Sequence, residues 1–407
     1  KGNRPCRRGG DHHRIAYFVM RNVIRIPHIL LPIKDFAHWS VIACDQFTSD
    51  RSYWEKVARS VGNRPSSLHC ILPEAYLGEE DEERIKSAHE SMYEAFTDRW
   101  LEKLNRGFVL TKRKTFYGVR KGIVAAIDLE AYSYKAGEEN VIRSSEEVVP
   151  GRLPPRVALR RGAILEFPHA IVFYKDKKNK LISALEEEDL EELYNFNLME
   201  GGGNIKGYFI PEDLAAVVAQ SLHTRGDPCF AVADGNHSVA AAKAYWEELK
   251  GELSEREQRT HPARFTLVEF VNLYDDSVVF TPIHRIVKHV DKEAFCDYFQ
   301  KSVKCRRVGD LLYPALAGGG AGVARADALI EAYLQANTGA GDYIHGEKQL
   351  KQLSEEENCV GIVLAEMEKD DFFEQLKGGK NFPKKTFSLG KAQDKRYYLE
   401  GREISYD

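Results

Sequence analysis

Asp234, Gly235, Asn236, His237 and Ser238 stand consecutively between the apolar run Cys229–Ala233 and the alanine-rich stretch Val239–Lys243. That order reads as a buried strand, a tight turn and a helix beginning near Ser238. A helix start presents unpaired backbone N–H groups and a partial positive charge, which suits an anion such as phosphate. Gly235 permits close backbone approach, and four polar side chains surround the mouth. The same pattern also reads as ordinary capping, with Asp234, Asn236 or Ser238 accepting from the first-turn N–H groups.

Other polar clusters stand where strands end. Asp45, Gln46 and Thr48 follow the apolar Trp39–Cys44 and precede a helix over Asp50–Val61, so two strand ends could face one crevice. Arg143, Glu146, Arg152 and Arg156 lie in a proline-rich stretch that cannot be one regular element. They read as a bidentate phosphate clamp with a carboxylate beside it, or as exposed ion pairs. Glu200–Gly207 is glycine-rich but lacks the phosphate-loop pattern, so it reads as a tight turn, with Lys206 a candidate for anionic substrate. His284 and Arg285 adjoin inside one strand, so one of them should point into a polar cavity. Lys384, Lys385 and Lys391 read either as phosphate contacts from a second lobe or as surface lysines.

The elements that must position these residues alternate between strand and helix. A long amphipathic helix is expected over Leu77–Leu104, a hairpin over Phe108–Asp128, and a strand over Ile164–Tyr174 with His169 inside it. An acidic helix follows over Leu185–Leu193. Paired strands are expected at Glu269–Leu273 and Val278–Val287, then a helix over Lys292–Ser302 and a flexible linker at Gly318–Gly322. Residues 1–19 read as a disordered extension before a natural start at Met20, 20–290 as the core domain, and 291–407 as a C-terminal lobe.

The chain of 407 residues exceeds the ~250–300 at which single cores stop growing, so more than one packed unit is expected. A net charge of -4 gives no electrostatic case for nucleic acid. No apolar run reaches the ~18 residues of a membrane helix. Seven cysteines without a CxxC pair argue against a zinc ribbon and fit reduced thiols in a cytoplasm, with Cys44 and Cys229 as buried small hydrophobes. The expected partner is a small molecule, with neither nucleic acid nor membrane. Nothing decides for or against a homo-oligomer.

Trp39-Ser-Val-Ile-Ala-Cys-Asp-Gln-Phe-Thr-Ser49, Ala233-Asp-Gly-Asn-His-Ser238, Pro282-Ile-His-Arg285 and Lys385-Thr-Phe-Ser-Leu-Gly-Lys391 resemble the domain of unknown function 1015 family, from about Ile24 to the C-terminus. The turn is in addition similar to the Asp-Gly-His-His-Arg type turn of the ParB/sulfiredoxin superfamily. Members of that superfamily bind nucleotide phosphates at the helix start, and one branch comprises kinases of free serine. The resemblance implies a mixed α/β fold, with a ParB-like nucleotide-binding core and an additional C-terminal α/β lobe. It makes Asp234, Gly235, Asn236 and His237 the phosphate turn. Ser238 stands where that superfamily usually has arginine, so the cation must come from elsewhere, with Arg285, Arg143, Lys206 and Lys391 as candidates.

The expected activity is phosphoryl transfer from ATP or ADP to the hydroxyl of a small amino or hydroxy acid such as serine. Mg²⁺ would be held by Asp234 or Asp45, and Glu146 or His237 would accept the hydroxyl proton. Arg143, Arg152 and Arg285 would hold the phosphate or the substrate carboxylate. Two alternatives are a phosphatase of phosphoserine-like compounds and a non-catalytic nucleotide sensor.

Overall fold

The computed structural model describes residues 23–42, 51–167, 170–223 and 228–406. Eleven strands build the first sheet: β1 Ile24–Arg25, β2 His28–Pro32, β3 Leu101–Thr115, β4 Gly118–Asp128, β5 Tyr132–Ser133, β6 Ile142–Ser144, β7 Ile171–Tyr174, β8 Glu192–Asn197, β9 Asn204–Pro211, β10 Phe230–Asp234 and β11 Phe265–Asn272. Their order is β8-β9-β3-β4-β11-β7-β10-β6-β5, with β1 added beside β4 and β2 beside β3. The architecture is mixed α/β.

Period-2 alternation sorts the side chains of this sheet between two cores. Ile123, Val172, Val232, Val268 and Phe270 point to one face, where Val239, Ala242 and Trp246 of the helix Asn236–Lys250 cover them. Val109, Val124, Ala126 and Leu267 point to the other, against Trp39, Met92 and Phe167. The second face turns polar toward one end, and the candidate site lies there.

Six further strands form the second sheet: β12 Phe280–Lys288, β13 Cys305–Val308, β14 Leu311–Pro314, β15 Ala340–His345, β16 Cys359–Ile362 and β17 Phe387–Leu389. Their order is β13-β14-β16-β12-β15, with β17 beside β12. The helices Lys292–Ser302 and Gly320–Ala336 cover one face through Phe295, Phe299, Ala326 and Tyr333. An aromatic cluster of Phe280, Phe372, Phe382 and Phe387 joins this lobe to Phe173 and Ala231 of the first sheet. The polypeptide then returns to the first lobe, where Tyr397–Tyr398 pair with Val41–Ile42 and Arg402–Glu403 pair with Leu165–Glu166.

The hairpin over Phe108–Asp128 forms as β3 and β4, closing where Thr115 pairs with Gly118. Four expectations are corrected. The helix expected over Leu77–Leu104 spans only Asp81–Thr97, because Leu101 and Leu104 belong to β3. The helix expected over Leu185–Leu193 ends at Glu186, and Leu193 lies in β8; three consecutive acidic residues, Glu187 to Asp189, are poor helix continuation beyond that end. Glu269–Leu273 and Val278–Val287 are not partners, since β11 pairs with β4 and β7 while β12 joins the second sheet. Gly318–Gly322 is no linker. Gly320 opens a helix, and a Cβ on Gly318 would stand 1.8 Å from the Glu366 carbonyl oxygen, so the glycine serves close backbone packing. Residues 1–19, Met20, Cys44 and His169 lie outside the described residues.

Candidate functional site

The turn begins with a slip in register. Val232 pairs with Val172, but Asp234 pairs with Ile171, so one extra residue is inserted in β10 before the strand ends. The slip puts Asp234 on the same sheet face as Ile171, which in turn pairs with Glu269 of β11. Gly235 follows at φ +87, a left-handed conformation that a side chain would strain. The helix then starts at Asn236, two residues earlier than its sequence suggests, with the Ser238 and Val239 amides donating to the Gly235 carbonyl.

No side chain caps this helix. Asn236 is buried and turned away, its Oδ1 accepting from Ser144 Oγ at 2.6 Å and from the Ser145 amide at 3.1 Å. It clamps the turn to the segment that leads to Glu146. His237 Nε2 accepts from the Val149 amide at 3.2 Å, which places the proton of the neutral ring on Nδ1. Asp234 Oδ2 is buried without a hydrogen-bond donor. The capping explanation of these residues is therefore set aside by their geometry.

The cation beside the turn is Arg396. Its Nη1 donates to Ser238 Oγ at 3.2 Å and its Nε stands 3.7 Å from Asp234 Oδ1, with the side chain only 7% exposed. The tail that delivers it crosses the polar end of the first sheet. Arg113 donates to the Gln393 and Lys395 carbonyls, Arg120 donates to the Asp394 carbonyl at 2.9 Å, and the Asp394 carboxylate accepts from the Phe116 amide at 3.1 Å. One basic residue in Lys395-Arg396-Tyr397 has no local pattern to mark it. The serine at position 238 was the only pointer that an arginine had to arrive from elsewhere.

Residues 27–400 match the sequence profile described as "Protein of unknown function (DUF1015)". The chain belongs to this DUF1015 family. No curated protein matches it. Among solved structures it is similar to a conserved hypothetical protein from Pyrococcus furiosus, at 11% identity and TM-score 0.32, covering 68% of this chain and 94% of that one. Free serine kinase in complex with AMP is similar at 10% identity and TM-score 0.36, over 69% of this chain and 92% of that one; a variant of the same kinase in complex with ADP gives the same figures.

The structure of this DUF1015 member distributes the other candidate residues unevenly. Glu146 is half-buried beside the turn, its carbonyl accepting from Asn381 Nδ2 at 3.2 Å and lying 2.6 Å from Ser144 Oγ, whose single proton it shares with Asn236 Oδ1. Arg143 is fully buried, and its two Nη groups donate to the Lys135 and Gly379 carbonyls and to Asn381 Oδ1, so it braces the loops around the turn. Arg285 makes a bidentate pair with Asp327 at 2.6 and 3.0 Å in the second lobe and donates to the Ile283 and Lys385 carbonyls. His284 Nδ1 accepts from the Leu364 amide in the same lobe, and its remaining surroundings hold the imidazole below its usual range by burial. Lys391 is exposed and lies over the Phe116 ring. Arg152 is exposed on a short turn, and Lys206 sits on β9, five strand positions from β10. Asp45 lies outside the described residues. Among the described residues no group of three metal-ligating side chains occurs.

Behind the turn the polar face continues as a buried network. Glu269 accepts from Thr111 Oγ1 at 2.9 Å and overlies Gly122, where a Cβ would stand 2.3 Å from its carboxylate oxygen. Burial, then the neighbouring Arg120, pull the Arg113 guanidinium down to about 10. Burial pushes the Glu400 carboxyl up to about 7, although the Tyr194 hydroxyl donates to it. Asp234, Arg396, Arg120 and Glu269 thus line one end of a single sheet face with charge that water reaches poorly.

Proposed function

We propose that the protein is a nucleotide-dependent phosphotransferase acting on the hydroxyl of a small amino or hydroxy acid such as free serine. The observation that carries this reading is a helix start left uncapped by any side chain, with Arg396 bridging Ser238 and Asp234 beside it. A helix dipole and a buried guanidinium converge on one spot, and such a convergence favours phosphate oxygens. The likeness of Asp234–His237 to the phosphate turn of the ParB/sulfiredoxin superfamily supports the same assignment.

The orphaned Oδ2 of Asp234 fits a cation ligand. Mg²⁺ bound there would neutralise phosphate charge. In the transfer, the acceptor hydroxyl oxygen forms a bond to the terminal phosphorus as the bond from that phosphorus to the nucleotide oxygen breaks. The hydroxyl proton passes to Glu146, since the Nε2 lone pair of His237 is already engaged by Val149. Arg396 stays against the phosphate oxygens throughout, and Asn236 and Arg143 hold the loops in place.

Phosphorus NMR of the full chain with Mg²⁺, ATP or ADP and serine tests the reading. A new phosphomonoester that requires nucleotide is expected. Inorganic phosphate released from phosphoserine without nucleotide would instead establish a phosphatase, and nucleotide binding without turnover would establish a sensor.

A further inference from the structure

Ser238 belongs to a second feature besides the turn. It stands at the edge of a cavity of about 130 Å³ between the helix Asn236–Lys250, the helix Pro154–Arg160 and the C-terminal tail. The space is far above the roughly 10–15 Å³ that one water requires. Its walls are apolar and partly aromatic, with Met92, Leu159, Phe167 and Tyr398 among them, and Ala241 faces it from the helix.

One part of the lining is charged. Arg160 donates to Glu166, which is buried and is also held by Arg402 at 3.1 Å. The Nε and Nη2 groups of Arg160 are buried without an acceptor. Buried donors without partners are costly, and a ligand that brings acceptors removes the cost. In a larger cleft of about 470 Å³, Lys103, Arg106 and Arg402 hold Glu403, Glu212 and Glu166, and Arg25 is exposed to water over the Phe265 ring, so no buried donor there calls for a ligand.

We propose that this cavity receives the purine ring of the nucleotide, with its faces against the apolar and aromatic walls and its acceptor nitrogens toward Arg160. The assignment rests on the phosphate-turn reading above and extends it. Ser238 lies at the junction: its hydroxyl accepts from Arg396 on the phosphate side, and the residue borders the cavity on the other. Apolar and aromatic walls with donor groups at one side suit a planar heterocycle whose ring nitrogens accept from Arg160.

Calorimetric titration of the full chain with Mg²⁺ compares ADP with pyrophosphate, which probes the turn alone. ADP is expected to bind about tenfold to a hundredfold more tightly, the gain from seating one base on such walls. Ala241→Leu, which fills the cavity, should lower ADP affinity by about tenfold and leave pyrophosphate affinity unchanged. Pyrophosphate and ADP binding equally well would overturn the purine site while leaving the phosphate turn standing. Binding of neither would overturn both. Should the variant not fold, photolabelling of the unaltered protein with 8-azido-ADP decides: adducts on peptides carrying Met92, Leu159–Phe167, Ser238–Ala242 or Tyr398 support the site, and adducts confined to other peptides overturn it.

Discussion

Arg396 Nε stands 3.7 Å from Asp234 Oδ1, and its Nη1 donates to the hydroxyl of Ser238, although the arginine arrives on the last segment of the chain. A single guanidinium therefore ties the C-terminal tail to both ends of the strand-to-helix turn. The tail in turn is fixed by Arg113 and Arg120, which reach its carbonyls from β3 and β4.

Replacing Arg396 with Gln removes the cation beside the turn while keeping a donor for Ser238. Pyrophosphate and ADP affinity should both fall by about tenfold to a hundredfold, the order expected for a charge-assisted contact. Titration calorimetry reads the loss, and unchanged affinity for both ligands would remove Arg396 from the site.

Asp234→Asn keeps the shape of the side chain and removes its charge. Turnover by phosphorus NMR should disappear while the cooperative unfolding transition stays in place. A variant with normal turnover would sink the role given to Asp234.

Asn236→Ala tests a mechanical role. The clamp to Ser144 and Ser145 would be lost, while Ser144 Oγ keeps the Glu146 carbonyl and the Ser145 amide keeps the Val232 carbonyl, so stability should drop by about 1 kcal/mol in urea denaturation. A loss within a few tenths of a kcal/mol would show that the clamp is dispensable.

Arg285→Met removes the partner of Asp327 in the second lobe. Since Asp327 is 25% exposed and can turn to water, a loss of about 1–2 kcal/mol is expected, below that of a fully buried pair. Turnover per folded molecule should be unchanged, and a turnover defect would return Arg285 to the chemistry.

Glu400 supplies a pH dependence. Its carboxyl is raised to about 7 by burial, so the folded state binds the proton more tightly than the unfolded chain. Its contribution to stability is complete below about pH 4.5 and declines as the pH rises through about 7, at up to about 1.4 kcal/mol per pH unit. Glu400→Gln should flatten that part of the stability-pH curve, and a curve identical to that of the unaltered protein would refute the assignment.

The turn itself was legible in the sequence, because its determinants are local. An apolar run, a glycine and an alanine-rich stretch specify strand, left-handed turn and helix within a few residues, and Cys229–Lys243 folds in that way. The β3–β4 hairpin was legible for the same reason. Elements at ambiguous period were not: Leu101 and Leu104 fit a helical stripe as well as a strand, and only pairing of this stretch with β2 makes it part of β3.

What each polar residue touches was decided by tertiary structure alone. In the sequence Arg143 and Arg285 look suited to phosphate and Arg396 is unmarked, since residue type does not reveal the partner that folding supplies. Folding gave Arg143 backbone carbonyls and Arg285 a carboxylate, and carried Arg396 from the tail to Ser238. The physical reason is the distance along the chain: local sequence fixes backbone conformation, while a buried charge takes its partner from whichever distant segment the packing of the sheets brings against it.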